Sequence, residues 1–145
     1  MKAAQTLLSA GLYTSSLLGI QILLMDKWLW NAAPTHALGL IIFVLADTAL
    51  LAGMWKETGF ATIGAALASI VQLAAMLSDV AIGQPSAVSA STFRIYLLAD
   101  TAFISLLATQ VVILVLAIAT LAMPLAHSHR LTLSQVGKKV IHRGY

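Results

Sequence analysis

The chain contains no cysteine, and only 9% of its 145 residues are charged. Without cysteine there can be no disulfide, no thiol redox chemistry, no cysteine-ligated zinc and no iron–sulfur cluster. Soluble domains carry about 25% charged residues, so this chain has too few polar side chains to cover a globule in water. With 60% hydrophobic residues and a mean hydropathy of +0.94, it is predicted to be an integral membrane protein.

Further absences narrow the classes of function. The sequence has no glycine-rich phosphate loop, no serine-nucleophile motif and no His/Glu metal motif, so we expect no cofactor and no catalysis by this chain alone. The net charge of +3 does not indicate nucleic-acid binding, because half of the eight basic residues lie in the last 16 positions. These four are Arg130, Lys138, Lys139 and Arg143.

Four long apolar stretches are present, at about 4–25, 35–54, 60–82 and 92–123. About 20 apolar residues in a helix cross a hydrocarbon core of roughly 30 Å. The sequence therefore predicts an all-α membrane protein, with a four-helix transmembrane domain over 1–126 and a basic cytoplasmic tail over 127–145. Pro34 suits the first turn of the second helix, Ser89 or Ser91 suits an N-cap, and Pro124 is expected to end the last helix.

A repeated motif suggests an internal duplication. Leu-Ala-Asp-Thr-Ala occurs at 45–49 and again at 98–102, an offset of 53 residues. The same offset aligns Asp26 with Asp79, so four of the five acidic residues form two matched pairs. We predict two tandem helix-hairpin repeats. Because each unit holds two spans, both would have the same orientation in the membrane.

Asp47 and Asp100 are the first candidate functional residues, because both fall within predicted spans. A carboxyl group inside a membrane is costly and must face protein or water. Two interpretations stay open for both residues: handling of protons or cations, or a structural hydrogen bond to the adjacent threonine, a neighbouring helix or a neighbouring subunit. For Asp100 there is a third interpretation. If the last helix crosses the membrane from Thr101 to Met123, Asp100 lies at the outer interface and only caps that helix or contacts solvent.

Polar or small residues also form stripes on single helical faces. In the third span, Asp79 and Gln72 are spaced to lie on one face with Thr62 and Ser69, and such stripes face other helices. In the first span, residues 11, 15 and 19 are Gly, Ser and Gly. Small residues at this spacing allow close approach of a second backbone.

Histidines offer only a limited metal-binding hypothesis. His127 and His129 could hold Cu or Zn, but without a third ligand no metal site is assigned. His36 lies on the opposite side from the other three histidines, which argues against haem ligation across the bundle.

From these features we predict a non-catalytic accessory subunit of a larger membrane complex. The kind of complex that we expect is an oxidoreductase or an energy-transducing complex. The alternative is a small oligomeric proton-coupled transporter or channel that uses Asp47 and Asp100. The expected partners are the bilayer, larger membrane subunits, and anionic lipid at Lys138, Lys139 and Arg143.

Both termini are predicted to be cytoplasmic. Four spans place six basic residues on the side of the termini and two, Lys27 and Arg94, on the other, as the positive-inside rule requires. Because the chain lacks cysteine, single-cysteine variants at Ser134 and Ser86 each carry one label. In intact cells a membrane-impermeant reagent should label Ser86→Cys but not Ser134→Cys; the reverse pattern would contradict the topology.

Overall fold

All the regular secondary structure in the described residues is α-helix. The computed structural model describes the backbone of residues 2–56, 59–83 and 88–141, and the side chains of 3–56, 60–83 and 88–122. The helices are α1 (Lys2–Met25), α2 (Lys27–Ala32), α3 (Pro34–Trp55), α4 (Gly59–Ile82), α5 (Ala90–Ala99) and α6 (Thr101–Ile141).

Four of these helices are long and apolar enough to cross a membrane. The apolar segments are Ala3–Met25, Pro34–Trp55, Phe60–Ile82 and Thr101–Ala122. Helix α1 packs on α3 and α6, and α4 packs on the same two helices, so the four surround a shared interior. We call the end of this bundle where α1 and α4 finish and α3 begins the Asp26 end.

Two apolar clusters fill the interior. The cluster nearer the Asp26 end includes Phe93, Phe103 and Met76. The cluster at the other end includes Leu12 and Ile113. On each long helix a buried polar residue lies between the two clusters, so the polar layer is at mid-height and is enclosed on both sides.

Short polar caps organise the Asp26 end. The backbone N–H of Leu29 donates to Asp26 Oδ1 at 2.9 Å and starts α2. Ser89 caps α5 by accepting from the N–H of Thr92 at 3.2 Å. Asp100 accepts from the N–H of Ala102 at 2.9 Å and begins α6. The segment after α1 is thus a six-residue helix, α2, which begins at the Asp26 cap.

The last predicted span needs two corrections. The stretch 92–123 is not one helix, because Asp100 has an extended backbone and separates α5 from α6. Pro124 does not end α6, which continues to Ile141. A proline removes one backbone donor but need not stop a helix, and Leu125 and Ala126 after it are strong helix formers.

The other three spans begin and end within two residues of the predicted positions. The side chains of several candidate residues lie outside the described part of the chain: His127, His129, Lys138, Lys139 and Arg143.

The two copies of the repeated motif occupy different structural positions. Asp47 lies within α3, whereas Asp100 lies in the break before α6. The interior position on α6 is taken instead by Gln110. The duplication therefore stays a prediction, and the equal spacing does not produce equal placement of the two acids.

Glycines allow α1 to pack closely on its neighbours. A Cβ at Gly11 would lie 2.9 Å from Ile113 Cγ1, and one at Gly19 would overlap Val44 Cγ2. Val44 cannot easily move aside, because a β-branched side chain in a helix has one strongly preferred rotamer. The small-residue face of α1 is therefore its contact with α6 and α3.

We predict that Gly19→Ala destabilises the bundle by about 1–3 kcal/mol, the usual cost of overpacking a close contact. The control is Gly39→Ala on α3, where an added Cβ meets nothing within 4 Å. That change should be neutral or stabilise the helix by about 0.5–1 kcal/mol. Thermal unfolding in detergent measures both, and equal stability of the two variants would contradict the packing interpretation.

Candidate functional site

Asp47 lies at mid-height of α3 and is only 2% exposed. Ser15 Oγ on α1 donates to Asp47 Oδ2 at 2.5 Å. Gln72 Nε2 on α4 donates to Asp47 Oδ1 at 2.7 Å. Both carboxyl oxygens therefore accept hydrogen bonds from helices on either side of α3.

Gln110 on α6 completes this arrangement. Its Nε2 lies 2.7 Å from Ser15 Oγ and 2.7 Å from Gln72 Oε1. A third, longer contact of 3.2 Å reaches Asp47 Oδ2. An amide nitrogen carries only two hydrogens, so the two short contacts use them. We refer to Ser15, Asp47, Gln72 and Gln110 as the Asp47 network.

The Asp47 network takes one residue from each of the four long helices. All four side chains are at most 2% exposed. A polar group buried without a partner costs about 1–3 kcal/mol, so separating any one helix would leave its partners unsatisfied. The network therefore joins the whole bundle rather than one pair of helices.

The network leaves one acceptor unused. Among the described residues, Gln110 Oε1 has no hydrogen-bond partner although it is buried. Thr48, which follows Asp47, does not contribute, because its hydroxyl donates to the carbonyl of Val44 at 2.7 Å. Asp47 is thus bound by neighbouring helices and not by the adjacent threonine.

A cavity of about 350 Å³ lies at the Asp26 end. Phe43, Met76 and Leu106 line it, and each is four residues from a member of the Asp47 network on the same helix. Four residues correspond to about one helical turn, or about 6 Å. The cavity therefore reaches to within one turn of Asp47. We refer to it as the Asp26-end cavity.

Three carboxyl groups line this cavity, from Asp26, Asp79 and Asp100. His36 Nε2 lies 3.1 Å from Asp79 Oδ1 and forms an ion pair when the imidazole is protonated. Asp26 Oδ2 is buried and, among the described residues, has no hydrogen-bond partner. Arg94 is not among the residues that line the cavity, and its Nη2 donates to the carbonyl of Ala81 at 2.8 Å.

Aromatic side chains form much of the wall of the cavity. Phe93 and Tyr96 on α5 line it, with Phe43 on α3 and Phe103 on α6. Behind this wall, Trp28 of α2 contacts Tyr96 with a ring-centroid distance of 3.9 Å. The short helices α2 and α5 thus hold the aromatic residues in place over the end of the bundle.

The described side chains do not include a group of three His, Cys, Asp or Glu residues that could hold a metal ion. His36 has one acidic neighbour and makes an edge contact with Phe93 at 4.9 Å between ring centroids. No metal ligand set can be assigned from these residues.

The structure separates the candidate residues into two groups. Asp47 and Gln72 belong to the buried network, and Asp79 and Asp100 line the cavity. Sequence reasoning did not identify Ser15 and Gln110 as partners of Asp47, or Asp26 and His36 as cavity residues. Ser15 and Gln110 could have been found from their positions, since each is a polar residue near the middle of a long apolar helix.

No protein-family model, characterised protein or solved structure matches this chain.

We predict that Asp47→Leu lowers the free energy of unfolding by about 1–3 kcal/mol, because Ser15 and Gln72 lose their acceptor. Asp47→Asn should be much milder, since an amide still hydrogen-bonds and the Gln72 amide can turn its carbonyl toward it. Ala49→Leu, an exposed position two residues away, is the control and should be neutral. Thermal unfolding in detergent compares the three, and a harmless Asp47→Leu would contradict the network.

Proposed function

We propose that this protein is a non-catalytic structural subunit of a larger membrane protein complex. The observation that carries the proposal is the Asp47 network. In it Asp47 accepts hydrogen bonds from Ser15 on α1 and Gln72 on α4, and Gln110 on α6 connects these two donors. A carboxyl group whose partners all belong to the bundle is suited to holding helices together.

Membrane insertion is part of the proposal. Large apolar side chains are exposed along all four long helices, among them Leu45 at 63%, Leu67 at 60% and Val115 at 60%. Such a surface would be unstable in water and suits contact with lipid or with other membrane subunits. We propose that both termini are cytoplasmic, which places the Asp26 end on the outer side.

An oxidoreductase or energy-transducing assembly is the parent complex we propose. The reason is that the chain has the helices of a membrane subunit but lacks groups for redox chemistry among its described side chains. The chain offers four membrane-length helices, but its described side chains include no group of three His, Cys, Asp or Glu residues that could hold a metal ion. Its contribution to such a complex would be to support subunits that carry the redox or energy-transducing chemistry.

A second function is favoured by the Asp26-end cavity. This alternative is a small oligomeric proton-coupled transporter or channel that uses Asp47 and Asp100. Asp100 lines the cavity, and the cavity reaches to within one turn of Asp47. The two acids would then act in series, with Asp100 in the wall of the cavity and Asp47 about one helical turn beyond its lining residues.

Purification from native membranes in a mild detergent tests the proposal. We expect the full chain to co-migrate with larger subunits.

Deletion of residues 132–145 should leave the bundle folded but weaken that association or binding to anionic vesicles, because each tail cation contributes about 1 kcal/mol of attraction to an anionic surface. A truncated chain that stayed attached to its complex and to lipid unchanged would remove any anchoring role from the tail.

The Asp47→Asn variant separates the two functions. For a structural subunit, assembly and the activity of the complex should persist. For a transporter, proton flux in reconstituted vesicles should be lost while the protein stays folded. Purification as a homo-oligomer, together with a proton flux that Asp47→Asn abolishes, would overturn the structural proposal.

A further inference from the structure

We propose that the Asp26-end cavity binds a small organic cation that carries an aromatic or aliphatic group. This inference does not rest on the role of the chain as a subunit, because the cavity lies within one bundle. It rests on three properties of the cavity: its charge, its aromatic wall and its size.

The charge of the cavity favours a cation. Its lining includes three carboxyl groups and one histidine, and none of the described residues that line it is Lys or Arg. His36 can balance Asp79. Asp26 and Asp100 each use Oδ1 to cap a helix. Asp26 Oδ2 has no hydrogen-bond partner among the described residues, so the negative charge of Asp26 is left to attract a ligand cation in the cavity.

The aromatic wall suits an organic cation better than a metal ion. Cations attach to the faces of aromatic rings, and quaternary ammonium groups are often bound by such rings. The cavity has four aromatic lining residues, Phe43, Phe93, Tyr96 and Phe103. A metal ion would need a set of oxygen or nitrogen ligands around one point, and the described side chains do not form one.

The size of the cavity indicates a small ligand. Its volume of about 350 Å³ is near the lower end of the roughly 300–1,000 Å³ typical of small-molecule sites. A groove between the end of α1 and the α5–α6 junction shares Ile22, Asp26, Tyr96 and Asp100 with the cavity. The groove therefore lies next to the cavity, and we take it as the route of entry for the ligand.

A lipid headgroup fits the cavity less well than a free cation. The choline or ethanolamine headgroup of a phospholipid carries a phosphate next to its ammonium group. Three carboxyl groups without a lining Lys or Arg would repel that phosphate. The proposal therefore commits to a soluble organic cation.

Isothermal titration of the full chain in dodecyl maltoside tests the proposal. The probe is benzyltrimethylammonium, and its uncharged counterpart of the same shape is neopentylbenzene. We expect saturable binding of the cation with one site per chain, and clearly weaker binding of the neutral compound. Glycerophosphocholine should not displace the cation.

Charge-removing variants locate the site without removing helix caps. Asn is as good an N-cap as Asp, so Asp26→Asn and Asp100→Asn keep α2 and α6 capped. Each should weaken binding of the cation by about threefold or more, and the double variant by about tenfold or more. Glu57→Gln removes the same charge from the stretch between α3 and α4 and should leave the affinity unchanged.

A blocking variant tests the position of the ligand independently of charge. Gly39 lines the cavity, and an added Cβ there meets no atom within 4 Å. Gly39→Leu should therefore occupy part of the space that the ligand needs and abolish binding in a folded protein, whereas Gly39→Ala should retain it. Circular dichroism and thermal unfolding verify that both variants are folded.

Three results would overturn the proposal. The first is no saturable binding of the cation to the folded wild-type chain. The second is equal binding of neopentylbenzene together with no effect of Asp26→Asn and Asp100→Asn, which would make the cavity an apolar site. The third is displacement by glycerophosphocholine at equal concentration, which would assign it to a lipid headgroup.

Discussion

Four helices with apolar surfaces can slide and rotate against each other, because apolar contacts have little directional preference. The hydrogen bonds of Asp47 remove that freedom. Ser15 and Gln72 donate to its two oxygens, and Gln110 connects the donors to each other. Since each partner is on a different helix, the height and the rotation of all four are set at one layer. The apolar clusters on either side then pack around helices whose register is already defined.

The two ends of the bundle differ because of where the charges lie. Asp26, Asp79 and Asp100 surround one cavity, and two of them also start helices. A helix N-terminus presents unpaired N–H groups and a partial positive charge, so an aspartate there is stabilised even near apolar surface. The caps explain how so many acids remain together in a chain with only five. Capping uses Oδ1 of Asp26 and leaves its Oδ2 without a partner among the described residues.

Hydropathy, together with proline and helix-capping residues, was enough to predict α1, α3 and α4, because length and apolar content alone define such helices. Asp100 shows the limit. The same five-residue motif surrounds Asp47 and Asp100, yet one is inside a helix and the other begins one, since the residues before Asp100 form a separate short helix capped by Ser89. The Asp47 network was beyond sequence reasoning for a related reason. A single helix reveals which side of it is polar, but not which residues of other helices lie at the same height.

The order in which the network residues occur has a consequence for biosynthesis. Ser15 and Asp47 lie on the first two long helices, so the first hairpin that leaves the ribosome can already form their hydrogen bond. Gln72 and Gln110 are made later, on α4 and α6. Until Gln72 arrives, the nascent hairpin holds a carboxyl group with only one of its two donors. The hydrogen bonds of Asp47 are therefore complete only when α4 joins the first hairpin, and the whole network is complete only when α6 joins them.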